Sequence, residues 1–420
     1  MLIDAKRAHW QAIIQRDVFI DLPEGDQLEG HVGQLRKCLY GTRDASAEWH
    51  KRWLAVLENL SFQPGVFSPC VLWHPEKLIA VFVHGDDFLC VGEVPDLEWT
   101  YEALRKEIWC EKQGILGPKS EGLCSTLTVL NRILTHEEET GDILYEADPR
   151  HVALVLRDLG LEHAKGVSSP AVKVQEADEE AVIEGSAARV FRSVTMRLNF
   201  LSADRPDIQF GTKEAARHMA NPTRSAMTKV KRIGRYLKKH PRLVQRFAKQ
   251  SEVFQFTVES DSDYAGCVAT RKSTSSTYLY HGKHLLRSSS TTQKVPSLSS
   301  AEAELYALVK AASIGLGAKM VAKDLGLQYG LVVHADSSAA LAIAKRRGVG
   351  KIRHLAAPSA WLQAKVAAKE LVVKKIDGKQ NTADMGTKAL PGSSIINFLT
   401  KMNFVCMQGR SAAAKALNKS

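Results

Sequence analysis

Four carboxylates in the last 170 residues of the chain stand where an oxygen-rich cation site would need them. Asp261 ends a strand-like run, Glu304 lies inside a helical pattern, Asp336 ends a later strand-like run, and Asp384 follows Asn381 and Thr382. They are separated by 43, 32 and 48 residues, so only folding can bring them together. Clusters of this kind hold hard divalent ions. Two such ions roughly 3.5–4 Å apart activate a water and stabilise the leaving oxygen in phosphodiester cleavage. Taken singly, each acid is more often solvated surface than ligand. A second constellation is Val83-His84-Gly85-Asp86-Asp87-Phe88, two adjacent carboxylates in a tight turn between apolar strands. Carboxylates that close repel unless a cation lies between them. Asp-Asp at a hairpin tip suits a Mg²⁺ held against a nucleotide's phosphates, with a third carboxylate from another strand. The plain alternative is an ordinary surface turn.

Several elements must position these groups. Leu78–Val83 and Phe88–Val91 read as the strands around Asp86 and Asp87, and Trp49, Trp53, Val56 and Leu57 mark a helix over 45–59. Phe254–Val258, Thr277–Tyr280, Leu331–Ala335 and Leu371–Ile376 read as four strands around the other acids. A long helical pattern starts near Ser299, where Ser299-Ser300-Ala301-Glu302 has the form of a capping box. Composition divides the chain into a mixed α/β block over 1–172, an acidic, small-residue linker over 173–190, a basic helical block over 191–250, an α/β block over 253–404 and a flexible tail over 405–420.

Charge is concentrated. The chain carries a net +11, and residues 191–250 alone hold fifteen Lys or Arg against three acids. Such a surplus is the footprint of a phosphate-binding groove, with Lys229, Lys231, Arg232, Arg235, Lys238 and Lys239 on one helix as the contact residues; a solvated basic face is the alternative. The seven cysteines form no C-x-x-C pair, which excludes a zinc ribbon and a disulfide framework. The apolar run Leu78–Val83 is too short to cross a bilayer, and Asp4, Lys6 and Arg7 are followed by no signal-like apolar region. The expectation is a cytoplasmic or nuclear protein, not secreted, with no membrane partner.

In their order along the chain these motifs resemble the C-terminal half of a copia-type LTR retrotransposon Pol polyprotein. Leu2-Ile3-Asp4-Ala5-Lys6-Arg7-Ala8, Leu39-Tyr40-Gly41-Thr42-Arg43 and His84-Gly85-Asp86-Asp87 are similar to reverse transcriptase motifs, and Asp204-Arg205-Pro206-Asp207-Ile208 to the thumb or connection region. Ser260-Asp261-Ser262-Asp263-Tyr264-Ala265-Gly266, Arg271–Ser275, Leu298–Glu304, Ala335–Ala339 and Asn381–Leu390 are similar, in order, to the RNase H portion.

The resemblance implies the α+β palm of a reverse transcriptase followed by an RNase H-like mixed-sheet α/β domain. It implies Asp261, Glu304, Asp336 and Asp384 as RNase H metal ligands, and Asp4, Asp86 and Asp87 as polymerase ligands. Asp263 and Glu302 rank second, and His354 matches a family histidine. The implied cofactor is Mg²⁺, two per active site, or Mn²⁺. The implied partners are an RNA–DNA hybrid or template-primer, and dNTPs where the polymerase works. Three departures stand out: His9 in place of an aromatic residue, Gly85 in place of a β-branched one, and Asp44-Ala45-Ser46 in place of Gln-Ser-Pro. Only three residues precede Asp4, so the family's fingers are expected to lie outside this chain. The function expected is RNA-directed DNA synthesis with metal-dependent cleavage of RNA in hybrids, the synthesis impaired; the alternatives are RNase H activity alone and a non-catalytic nucleic-acid-binding remnant.

Overall fold

A computed structural model describes residues 1–173, 181–348, 350 and 356–414. It has two compact units, one of residues 1–129 with 320–328, the other of 130–319 with 329–420.

The first unit is built on an antiparallel sheet in the order Gln63–Pro64, Val71–His74, Ile79–His84, Asp87–Val91, Leu2–Ala5 and Cys110–Gly114. Helix Ala45–Asn59 lays Trp49, Trp53, Val56 and Leu57 onto it, and Phe88 meets both indoles edge-on. The same helix fixes the Asp-Asp turn, because the Trp49 Nε1–H donates to the Gly85 carbonyl at 2.8 Å. His84 pairs with Asp87, leaving a two-residue turn whose first position, Gly85, has φ 66°. Two-residue hairpins demand that left-handed φ, and a β-branched residue tolerates it poorly. The Gly85 departure is thus a turn requirement.

The second unit holds a five-stranded sheet ordered His284–Thr292, Thr274–His281, Gln255–Ser262, Gly330–Ala335 and Val372–Lys375. The first three run antiparallel, and the last two join in parallel. Helix Ser300–Asp324 leads into Gly330–Ala335 and buries Ala303, Leu308, Ala311 and Ala312. Its approach to the sheet is close at Gly315, where a Cβ would come within 2.5 Å of Leu331. By length and composition this 25-residue helix could cross a membrane, which counting unbroken apolar runs missed because isolated charges interrupt it. Its buried alanine face and the Glu304 it carries fit a core helix instead.

Three differences from the expected organisation have clear causes. Residues 130–172 pack with the second unit, because Ile143–Glu146 pairs with Arg242–Phe247, and Val152 and Val155 of helix Arg150–Asp158 join a core with Phe191, Leu198, Ile233 and Leu237. The expected linker ends early. Helix Gly185–Leu201 starts inside it, since alanine is a strong helix former and Ala188 is buried; residues 174–180 of that linker lie outside the described residues. The expected tail contributes strand Phe404–Met407, paired with Arg242–Phe247.

The basic block folds as helices Gly185–Leu201, Gln209–Ala216 and Arg224–Lys239, the last capped by the Thr223 hydroxyl, which accepts from the Ala226 N–H. Between the first two lies Asp204-Arg205-Pro206-Asp207-Ile208. Arg205 is 1% exposed and grips Asp207 through two bonds of 2.9 and 2.7 Å, with a third to the His240 carbonyl. This part of the motif is an interior ion pair and presents no charge to solvent.

Candidate active site

Sheet register brings the second unit's acids together. Ser260 lies beside Ala335 in the parallel pair, so Asp261 and Asp336 leave neighbouring strands at the same level. Glu304 enters from the first turns of helix Ser300–Asp324. The Ser299 hydroxyl accepts from the Glu302 N–H, and the Glu302 carboxylate accepts from the Leu298 N–H, so Glu302 caps the helix while Glu304 turns to the sheet. The Gln293 amide ties that helix down, donating to the Ala303 carbonyl and the Ser275 hydroxyl at 2.9 Å each.

Asp261, Glu304 and Asp336 each offer a carboxylate oxygen within 4.8 Å of the others, the one such grouping among the described residues. Asp384 does not join that mutual grouping, yet its carboxyl lies against that of Asp261, and its charge helps push up the pKa of both Asp261 and Glu304. It lies on the short turn Thr382–Gly386 and is paired with Lys388 at 2.8 Å. Asp263 points elsewhere: its carboxylate accepts from the Thr274 N–H and crowds Gly266.

Electrostatics describe a site short of positive charge. Burial, and then the charge of Asp384, raise the Asp261 pKa. Burial, followed by Asp261 and Asp336, pushes Glu304 up to about 9. Asp336 is raised by burial and by Asp261. One Glu304 oxygen accepts from the Ser262 N–H at 3.3 Å, while the other, buried, has no hydrogen-bond partner. An all-oxygen donor set with an orphaned buried carboxylate oxygen fits a hard divalent cation.

A stability test follows. Glu304 has its usual pKa of 4.5 in the unfolded chain and about 9 folded. The folded state therefore binds this proton more tightly. Its contribution is present below the unfolded value and is lost as pH rises towards 9. In chelator, Glu304→Gln is expected to exceed the wild type in unfolding free energy by about 1–3 kcal/mol at mildly alkaline pH, the difference vanishing in acid. Equal stabilities across that range would show that Glu304 is not crowded.

Glu259 lies outside the sequence motifs, and the supporting roles of Asn381 and Thr387 inside one of them emerge only in the fold. Glu259, two residues before Asp261 on the same strand face, accepts from both the N–H and the hydroxyl of Thr382, and so anchors the turn that carries Asp384. Asn381 donates to the Ser260 carbonyl at 2.9 Å, and the Thr387 hydroxyl donates to Asp261. Strand periodicity could have singled out Glu259; the Thr387 contact needs the fold.

In the first unit Asp4 lies opposite Asp87 on paired strands, and the Asp86 carbonyl accepts from the Ala5 N–H at 2.8 Å. The three expected acids are neighbours, but they are not within the mutual reach seen in the other unit. Lys6 occupies Asp4 at 2.6 Å and Glu111 at 3.0 Å.

The basic helix divides its six cations. Arg232 donates to Ser169, Arg235 to the Lys165 carbonyl and Lys238 to the Glu162 carbonyl, so these three hold the 162–169 segment. Lys231 and Lys239 are exposed, and Lys229 is half-buried. Other cations of the block meet acids from outside it, as Arg197 does Asp158, Arg242 does Glu146 and Arg246 does Glu137. Part of the surplus is thus offset by acids remote in sequence. His354 lies outside the described residues.

No protein-family model matches the chain. Its homologues are retrovirus-related Pol polyproteins of plant transposons. That of transposon TNT 1-94 from Nicotiana tabacum is 25% identical over 404 residues, covering 93% of this chain, and that of transposon RE1 from Arabidopsis thaliana is 24% identical over 409 residues, covering 95%. The chain spans 30% and 27% of the length of these two relatives. Among solved structures, a foamy viral protease-reverse transcriptase in complex with RNA/DNA hybrid aligns over 90% of this chain and 44% of its own, with 12% identity and a TM-score of 0.49. The N-terminal RNase H domain of rv2228c from Mycobacterium tuberculosis aligns over 36% of this chain and 98% of its own, with 18% identity and a TM-score of 0.24.

Proposed function

We propose that this chain is the reverse transcriptase palm and RNase H part of a retrotransposon Pol polyprotein, and that its second unit cleaves the RNA strand of RNA–DNA hybrids in a divalent-cation-dependent reaction. The observation that carries the reading is the Asp261, Glu304 and Asp336 cluster with its orphaned Glu304 oxygen. Homology to Pol polyproteins over nearly the whole chain supports it.

Asp261, Glu304 and Asp336, with Asp384 beside them, are the residues that would hold Mg²⁺ or Mn²⁺. Bound there, the ions supply an activated water and neutralise charge on the leaving oxygen. The chain's own groups prepare this site. The Thr387 hydroxyl orients Asp261, Glu259 holds the turn bearing Asp384, and the Ser262 N–H fixes one oxygen of Glu304, leaving the other buried and without a hydrogen-bond partner. Lys388, exposed and 2.8 Å from Asp384, offsets part of the repulsion between the carboxylates and an approaching phosphodiester.

A second activity, DNA synthesis on the first unit, is favoured by the placement of Asp4 opposite Asp87 with Asp86 at the adjoining turn. The deciding experiment gives the purified chain a labelled hybrid and a primed template, with and without Mg²⁺. Cleavage with extension supports both activities, and cleavage alone restricts the function to the second unit. Binding without either would overturn the enzymatic reading and leave a nucleic-acid-binding remnant.

The helix Arg224–Lys239 gives a separate expectation. Replacing the exposed Lys231 and Lys239 with Ala is expected to reduce the slope of log affinity for hybrid against log salt by about 1–2, if each neutralises one phosphate. Arg235→Ala and Lys238→Ala should mainly loosen the 162–169 segment and lower the melting temperature. An unchanged slope in the Lys231 and Lys239 double variant would return the helix to a solvated face.

A further inference from the structure

On the first unit, three side chains form a layered surface that the chemistry above leaves unused. The Arg7 guanidinium carbon lies 5.0 Å from the Trp10 ring centroid and 5.7 Å from that of Trp109. Both indoles are open to solvent, Trp10 being 41% and Trp109 58% exposed. Large exposed aromatics are unfavourable to leave in water unless something covers them.

The arrangement is built by several bonds. The Gln11 amide donates to the carbonyls of Lys6 at 2.7 Å and Trp109 at 2.9 Å, and its oxygen accepts from the Trp109 N–H at 2.7 Å. The Lys6 N–H also donates to the Trp109 carbonyl at 2.9 Å. Trp109, remote in sequence, is thereby fixed against the turn Ala8–Gln11. Arg7 adopts a left-handed conformation, φ 50° and ψ 46°, which costs stability for a long side chain and persists only where its surroundings enforce it. Its neighbour Lys6 is tied to Asp4 and Glu111, whereas Arg7 has no carboxylate partner among the described residues.

We propose that Trp10, Arg7 and Trp109 form a docking platform for unpaired bases of a single-stranded nucleic acid. Flat rings accept a base of any identity by stacking, and a guanidinium without a counter-ion between them adds cation–π attraction and a contact for the adjoining phosphate. The surroundings favour this partner over a protein: Lys6, Gln11 and Glu111 beside the rings are polar, whereas the centre of a protein interface is depleted of charge. The choice of nucleic acid also rests on the function proposed above. A strand with free base faces can use the platform; a duplex, whose bases are stacked and paired, cannot.

The test uses the whole chain, a short oligo(dT) strand, and a blunt duplex of the same length, with binding read by fluorescence anisotropy. Trp109→Ala is expected to weaken oligo(dT) binding by about 10-fold and to leave duplex binding unchanged, while Trp109→Phe restores most of the loss because a stacking face remains. Arg7→Ala is expected to lower the salt slope for oligo(dT) by about 0.7, the value for one phosphate on a single strand, with Arg7→Lys keeping it. Oligo(dT) affinity indifferent to Trp109→Ala, or an equal loss for strand and duplex, would overturn the platform. Because the candidate nuclease acids lie in the other unit, hybrid cleavage is measured on the same preparations as an independent readout. Strand binding that depends on Trp109 supports the platform even in a protein that does not cleave, and strand binding indifferent to Trp109 overturns it even in one that does.

Discussion

Asp336→Asn is expected to reduce cleavage of the RNA strand by at least about 10²–10³-fold while leaving affinity for the hybrid intact. The amide preserves the shape of the carboxylate and removes the charge that the cluster needs to hold a cation. Affinity for the duplex comes from phosphate contacts to Lys and Arg, so removing a negative charge does not weaken it. Asp263→Asn is the control, because the Asp263 carboxylate is engaged with the Thr274 N–H and lies outside the cluster. Single-turnover cleavage and gel-shift binding on both variants check the expectation. Retained cleavage in Asp336→Asn, or equal losses in the two variants, would remove Asp336 from the site.

Arg205→Ala carries the largest expected stability effect. It strands the Asp207 carboxylate, 2% exposed, with no cation beside it. Breaking a buried pair from one side costs about 3–5 kcal/mol, a large part of the roughly 5–15 kcal/mol that holds a domain folded. Replacing both partners with apolar residues of similar volume, as in Arg205→Met with Asp207→Leu, should recover most of that loss, because no charge is then left unsolvated. Urea unfolding of the single and double variants measures the coupling. A single-variant cost under about 1 kcal/mol would place the pair in water rather than in the interior.

The acids of the second unit were legible because their motifs follow one another in a fixed order and because strand ends are where a sheet presents side chains to a common edge. Asp261 and Asp336 needed only the parallel register to meet, while the capping bonds that occupy Glu302 and leave Glu304 to the sheet are visible only in the fold. Charge balance is less legible in a sequence. Charge was counted along the chain, and the partners of Arg197, Arg242 and Arg246 come from residues 137–158, which composition had assigned to another block. Strand His284–Thr292 was also missed: Ser288-Ser289-Ser290-Thr291-Thr292 reads as a loop by composition, and only pairing with Thr274–His281 makes it an edge. Small polar residues suit that position, since a polar edge resists pairing with other chains.

Strand Phe404–Met407 bears on how the part that carries the acid cluster could be excised for separate study. It closes against Arg242–Phe247, and Leu243 and Phe404 share one core with Tyr278, Tyr280, Leu285 and Phe398. A fragment cut at 253 and 404 would discard Leu243 and the strand it belongs to, and would uncover the apolar flank of the very sheet that carries Asp261. Such an excised piece would offer greasy surface and open backbone to its own copies, and inclusion bodies would be the ordinary result. A soluble fragment carrying these acids has to retain residues 130–146 and 242–247 and continue through Met407, so the smallest piece that can fold is wider than the span from Asp261 to Asp384 suggests.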